Sequence, residues 1–259
     1  MSDIEVEIKG EVCWIRLNKP ERMNAYDAEM ARELIDAVKG ASKSGVIVLT
    51  GTGRAFCAGG YLANLSDPDP EALRSMFYGS LEVYESLRQS PRPVIAAVNG
   101  AAAGGGNELV VACDIAIASE KATFGQTGVK VGSAPVLGGT NFLSMSVGEK
   151  RAKEIAFMCR RYKADKALEM GLINAVVPAD QLEDEVTRWA EELLFMSPRY
   201  LEIAKINSNV WWNQCRDNYL SGLGMLVQAI GSKDMIEGAS AFMEKRRPEF
   251  EGRANKNES

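Results

Sequence analysis

The chain has 259 residues, 46% hydrophobic and 25% charged, with a formal net charge of −5 and no histidine. Such a make-up suits one substantial α/β domain, or that domain with a helical appendage. The acidic balance argues against nucleic acid or an anionic membrane as partner. The missing imidazole excludes Ser-His and Cys-His dyads, histidine metal sites and imidazole acid–base chemistry, which leaves proton transfer to carboxylates, tyrosines, lysines or water.

The opening MSDIEVEIKG lacks the apolar core of a signal peptide, and no apolar run reaches the ~18 residues of a membrane span. Cys13, Cys57, Cys113, Cys159 and Cys215 lie far apart and form no C-x-x-C pair. Free thiols in a reducing, cytoplasmic setting are expected, with neither disulfides nor a metal site. Val12–Leu17, Gly45–Thr50, Pro93–Val98 and Asp114–Ala118 are short, apolar and rich in β-branched residues, which predicts strands covered on both faces. Helical patterns run over Ala28–Ala41, over Pro70–Arg88 and onward from Gly105. The alternation predicts an α/β fold with right-handed crossovers.

After about Lys150 the helical patterns dominate: Lys150–Phe157, Lys163–Gly171, Asp180–Phe195 and Pro198–Gly231, with one further strand at Ala175–Val177. The expected organisation is a core over residues 1–195 and a helical region over 196–259. Trp211, Trp212, Met225, Leu226 and Ile230 give that region apolar surface for an oligomer interface or for packing on the core. The tail after Phe250 is polar and reads as frayed.

Two glycine-rich turns follow predicted strands, Arg54–Leu62 (RAFCAGGYL) and Asn99–Leu109 (NGAAAGGGNEL). The carboxyl end of a buried strand is where α/β folds place ligands, and the second turn runs into a helix whose N-terminus offers free N–H groups. Phosphate cradles and plain tight turns are the alternatives. Phe56 breaks a G-x-G-x-x-G reading, Gly106 breaks a Walker A reading, and no G-x-S-x-G elbow is present.

Six blocks carry a family resemblance: Leu17–Ala25, Ala55–Gly60, Val98–Gly100 with Gly104–Gly106, Ala112–Asp114, Phe124–Gln126 and Ala241–Arg246. In that order and spacing they resemble the crotonase (enoyl-CoA hydratase/isomerase) superfamily over nearly the whole chain. The resemblance implies a crotonase-like ββα spiral core, a C-terminal helical trimerisation region, and a homotrimer or dimer of trimers. It implies an acyl-CoA thioester substrate, with coenzyme A as part of that substrate and no separate cofactor. It also implies an oxyanion hole from the N–H groups of Gly60 and Gly105, each worth about 2.7–4 kcal/mol of barrier when aimed at a thioester enolate.

The first glutamate of the family's hydratases matches Glu108, which read alone is a first-turn glutamate serving the helix dipole. The second matches Gly128, which has no side chain. The start of Phe124–Phe142, with Lys150–Ile155 and Met158–Tyr162, resembles dihydroxynaphthoyl-CoA synthases and 2-ketocyclohexanecarboxyl-CoA hydrolases, which carry an aspartate where this chain has Pro135. Gly132–Leu143 is similar to 6-oxocyclohex-1-ene-1-carbonyl-CoA hydrolases. The activity implied is hydrolytic ring opening of an alicyclic β-oxoacyl-CoA, as in anaerobic aromatic degradation. The alternatives are an enoyl-CoA hydratase (Pro135, Gly138, Gly139 and Thr140 match its pattern), a synthase-like cyclase and a non-catalytic acyl-CoA-binding protein. Ala58, Tyr61, Tyr78, Thr127 and Asn141 are candidate walls of the acyl pocket. Lys19, Arg22 and Lys245 are candidates for the coenzyme A phosphates or adenine, or simply solvated charges.

Overall fold

The computed structural model describes residues 2–61 and 69–250, so Leu62 of the first glycine turn and the polar tail after Phe250 lie outside it. The chain opens on a hairpin of β1 (Ile4–Lys9) and β2 (Val12–Leu17), followed by α1 (Ala28–Gly40). A unit of long strand, short strand and helix then repeats. First come β3 (Val46–Gly51), β4 (Ala55–Cys57) and α2 (Pro70–Gln89); then β5 (Val94–Val98), β6 (Ala101–Ala103) and α3 (Gly105–Ala112). β7 (Ile115–Ser119) and β8 (Thr123–Gly125) open a third unit, which continues through α4 (Leu143–Val147) and α5 (Glu149–Met158). β9 (Tyr162–Lys163), α6 (Ala164–Met170), β10 (Ala175–Val177) and α7 (Leu182–Leu194) follow. Helices α8 (Pro198–Ser208), α9 (Val210–Gln228) and α10 (Lys233–Met243) end the described chain.

The long strands form one sheet in the order β1-β2-β3-β5-β7-β10 and the short ones a second, β4-β6-β8-β9. Only the pairs β1–β2 and β8–β9 are antiparallel. This is the ββα spiral that the resemblance implies. β3 and β5 are buried along their whole length, which explains their unbroken apolar runs. β1 was not predicted; beyond Ile4 it is exposed, and charged residues alternate through it. The predicted helix Pro198–Gly231 is two helices parted at Asn209. That residue's Nδ2 donates to Arg88 O at 2.8 Å and its Oδ1 accepts from Arg88 Nη1 at 3.3 Å, so the break docks on α2.

The helices after residue 195 share the hydrophobic core of the spiral. Trp212 stacks on Phe142 at 4.0 Å, and Tyr219, Leu223, Leu226, Met235 and Ala239 join the same cluster. A buried cation helps to dock α8: Lys205 Nζ donates to Leu87 O and Arg92 O, each at 2.9 Å, and pairs with Asp114 Oδ2 at 2.7 Å. Burial lowers the Lys205 pKa, against the attraction of Asp114. Lys205→Met strands the two carbonyls and the carboxylate. It is expected to cost about 2–3 kcal/mol, read as a lower denaturant midpoint at unchanged m-value. Among the described residues no helix is long and apolar enough to cross a membrane.

Candidate active site

Two asparagines and a set of close glycine contacts bring the two glycine loops together. Asn24, buried in a left-handed turn at φ 56°, donates from Nδ2 to Thr52 O, Ala55 O and Phe56 O, and its Oδ1 accepts from Lys19 N. Asn99 Nδ2 holds Gly53 O and Ala55 O from the other side. Both asparagines belong to blocks that carry the resemblance, and both clamp the first loop. The second loop then closes on the first. A Cβ on Gly106 would lie 2.0 Å from Cys57 O, and one on Gly59, whose φ is +92°, would lie 2.8 Å from Gly105 N. Only glycine permits that approach.

The contact leaves two donors unspent. Tyr26 N donates to Gly59 O and Tyr61 N to Tyr26 O, a pairing that passes Gly60 N by. Gly105 opens α3, whose N-cap Gly104 has no capping side chain, so its N–H has no helical partner. Among the described residues neither the Gly60 nor the Gly105 N–H donates to a protein acceptor. Both residues line one cleft of about 640 Å³, open mouth included, with Tyr26, Ala58, Ser80, Glu108, Gln126 and Thr127 on its walls.

Glu108 is 4% exposed, and its Oε1 accepts from Gly139 N at 2.9 Å. Burial raises its pKa to about 8, although hydrogen bonds from the Gly139 and Leu137 N–H groups favour the anion. A carboxyl tuned to this range accepts or returns a proton near neutral pH. No second carboxylate faces it among the residues lining the cleft. At Gly128, itself on the cleft wall, a Cβ would lie 3.1 Å from Ala134 C and 3.2 Å from Pro135 Cδ, so a side chain there needs the Ala134–Pro135 segment to give by a few tenths of an ångström. Gly128→Glu is expected to lose about 1–3 kcal/mol of stability without gaining activity, as thermal melts and acyl-CoA assays would show.

Of the residues singled out by sequence, Ala58, Gly60, Gly105, Glu108 and Thr127 line the cleft. Six others do not. Tyr61 lies under the Arg22 guanidinium, 5.0 Å from ring centroid to Cζ, and Tyr78 is 45% exposed on α2. Asn141 accepts from its neighbour's Phe142 N–H at 2.9 Å. Lys19 pairs with Asp3 at 2.6 Å, and Arg22 pairs with Asp27 at 2.8 Å and Asp3 at 3.6 Å. Lys245, at φ 57°, sits by Lys130 and Phe242 beyond the end of α10. Sequence reasoning missed Tyr26, Ser80, Gln126 and Leu226, which reach the cleft from the turn before α1, from α2, from the end of β8 and from α9. The lack of histidine pointed to tyrosines as a class, but no local pattern selects Tyr26. Among the described residues no three Cys, Asp or Glu side chains gather as a metal site would require.

Residues 7–253 match the enoyl-CoA hydratase/isomerase family. The fold is similar to that of crystal structures across their whole length. Subunit I of an enoyl-CoA hydratase from Geobacillus kaustophilus is 35% identical, with 97% of this chain and 98% of that one covered and a TM-score of 0.76. An enoyl-CoA hydratase from Bacillus anthracis is 34% identical over 97% and 100% of the two chains, TM-score 0.78. A carnitinyl-CoA hydratase from Mycobacterium avium is 29% identical over 98% and 100%, TM-score 0.85. A chain that closes two glycine loops around unspent N–H groups, on this fold and with this match, belongs to the enoyl-CoA hydratase/isomerase family of the crotonase superfamily.

Proposed function

We propose that this acyl-CoA enzyme adds water to the acyl part of its thioester, with Glu108 as the base that deprotonates the water. The observation that carries the reading is the buried Glu108 carboxyl on the same cleft as the two unspent N–H groups. The thioester oxygen accepts from Gly60 N and Gly105 N. Those donors stabilise the enolate that forms as water attacks the β-position. Hydration of an α,β-unsaturated acyl-CoA is the first reading, favoured by relatives that are themselves called hydratases.

Gly128 favours a second reading, because the second glutamate of the hydratases has no counterpart at this position. In that reading water attacks the ketone of an alicyclic β-oxoacyl-CoA, the ring C–C bond breaks towards the α-carbon, and the same donors hold the resulting enolate. The similarity of Gly132–Leu143 to ring-opening hydrolases supports it. Assays with crotonyl-CoA and with a cyclic 2-oxoacyl-CoA, read by mass spectrometry, separate the two. A hydroxyacyl-CoA product supports the first and a dicarboxylyl-CoA product the second; neither product sinks water addition. The exposed apolar side chains of the C-terminal region, among them Tyr200, Ile203, Ile206, Trp211 and Met225, support a trimeric assembly through these helices.

A further inference from the structure

Water addition of either kind needs a group that takes a proton from water and a group that gives one to the α-carbon. Only two titratable side chains appear among the described residues lining the cleft, Glu108 and Tyr26. Tyr26 follows the left-handed Met23–Asn24 turn, and its backbone pairs with the first glycine loop. Its ring passes under that loop to the second one. A Cβ on Gly105 would lie 2.5 Å from Tyr26 Oη and 3.3 Å from Cζ. Gly105 has no positive φ, so the phenol, not the backbone, keeps that position free of a side chain.

The hydroxyls around Tyr26 have committed their own protons. Tyr84 Oη donates to Gly105 O at 2.8 Å and lies 3.4 Å from Tyr26 Oη, too long for a strong hydrogen bond between hydroxyls. Ser80 Oγ donates to Met76 O at 2.8 Å. With those protons committed, the Tyr26 hydroxyl is the donor in the long 3.4 Å contact to Tyr84 Oη, a bond weak enough for an acceptor in the cleft beside the Gly105 donor to displace. Burial keeps the phenol protonated, while Ser80 and Tyr84 stabilise its anion. We infer that Tyr26 is the second proton-transfer group, delivering its hydroxyl proton to the α-carbon of the enolate held by Gly60 and Gly105.

The inference rests on the water-addition reading. In the step the Tyr26 O–H bond breaks, the enolate electron pair forms a C–H bond at the α-carbon, and the thioester carbonyl re-forms. The negative charge moves to the Tyr26 oxygen, where Ser80 and Tyr84 can turn to donate to it. The proton that Glu108 took from water then passes through cleft water to the phenolate. Both groups are restored, and the balance is one water added.

The test follows exchange of the α-hydrogens of butyryl-CoA for solvent deuterium, with turnover of crotonyl-CoA and thioester Kd beside it. Tyr26→Phe is expected to lose about 10²–10⁴-fold in exchange and kcat while Kd stays within a few-fold. Glu108→Gln is expected to lose turnover and keep exchange. Replacing Tyr26 by 3-fluorotyrosine lowers the phenol pKa in an unaltered fold, and the alkaline limb of the exchange profile should move down with it. Exchange by Tyr26→Phe at the wild-type rate, or a fluorotyrosine profile that does not move, overturns the inference and leaves the water-addition reading standing. A wild-type chain that binds butyryl-CoA but neither exchanges it, nor hydrates crotonyl-CoA, nor opens a cyclic 2-oxoacyl-CoA removes that reading and this one together.

Discussion

Glu108→Gln is expected to lower kcat by about 10²–10⁴-fold, the range of general acid–base catalysis, with acyl-CoA binding nearly unchanged. The amide fills the same space and its oxygen can still accept from Gly139 N, but it cannot take a proton from water. With the folded pKa raised to about 8, wild-type kcat/KM should climb with pH towards that value, and the Gln variant should lack the limb. The same group makes stability depend on pH. In the unfolded chain its proton leaves near 4.5, whereas in the folded chain it stays until about 8. Rising pH across that window therefore favours unfolding. Between its ends the Gln variant should gain on the wild type by up to about 5 kcal/mol, read from denaturant melts at the two pH values. A flat difference would show that Glu108 is solvated in the folded chain.

Gly106→Ala is expected to be the most damaging of the small substitutions. Its Cβ would lie 2.0 Å from Cys57 O and 2.6 Å from Cys57 C, backbone atoms that cannot turn aside. The loops must separate, at a cost of about 3 kcal/mol or more, and the Gly105 donor moves with its loop, a loss of about 10²–10³-fold in kcat. Gly60→Ala provides the contrast. Its Cβ would meet only Met76 Cε and Sδ, at 3.6 and 3.7 Å, and its N–H survives the change. Stability should move by less than about 1 kcal/mol and kcat should keep its order of magnitude. Equal damage from both substitutions would refute the view that loop contact, rather than glycine at each position, builds the site.

The strands were legible where burial on both faces leaves an unbroken apolar run. β2 and β10 were bounded as predicted, and β3, β5 and β7 to within a residue. β4, β6 and β8 were not, because three residues inside a glycine-rich stretch carry too little periodicity to register. The break at Asn209 has no local signature for a different reason: the helical pattern continues across it, and only docking on Arg88 interrupts the helix. The boundary drawn at residue 195 separates helices from spiral in sequence. In space Leu226 of α9 lines the same cleft as Glu108.

By itself the sequence determined the alternating α/β order, the two glycine turns and Glu108 at the head of a helix, because each is a local pattern of a few residues. Six ordered blocks carried the family resemblance, and the absence of histidine narrowed the proton carriers. Tertiary structure alone decided that the two glycine turns touch, since they lie some fifty positions apart yet so close that a Cβ on Gly106 or Gly59 would come within 2.0–2.8 Å of the other turn. It also decided that Glu108 is buried enough to hold its proton to about 8, and that a side chain at Gly128 would press on Ala134 and Pro135. Desolvation and steric exclusion depend on what packs around a group from every direction, and a linear pattern records only what lies beside it along the chain.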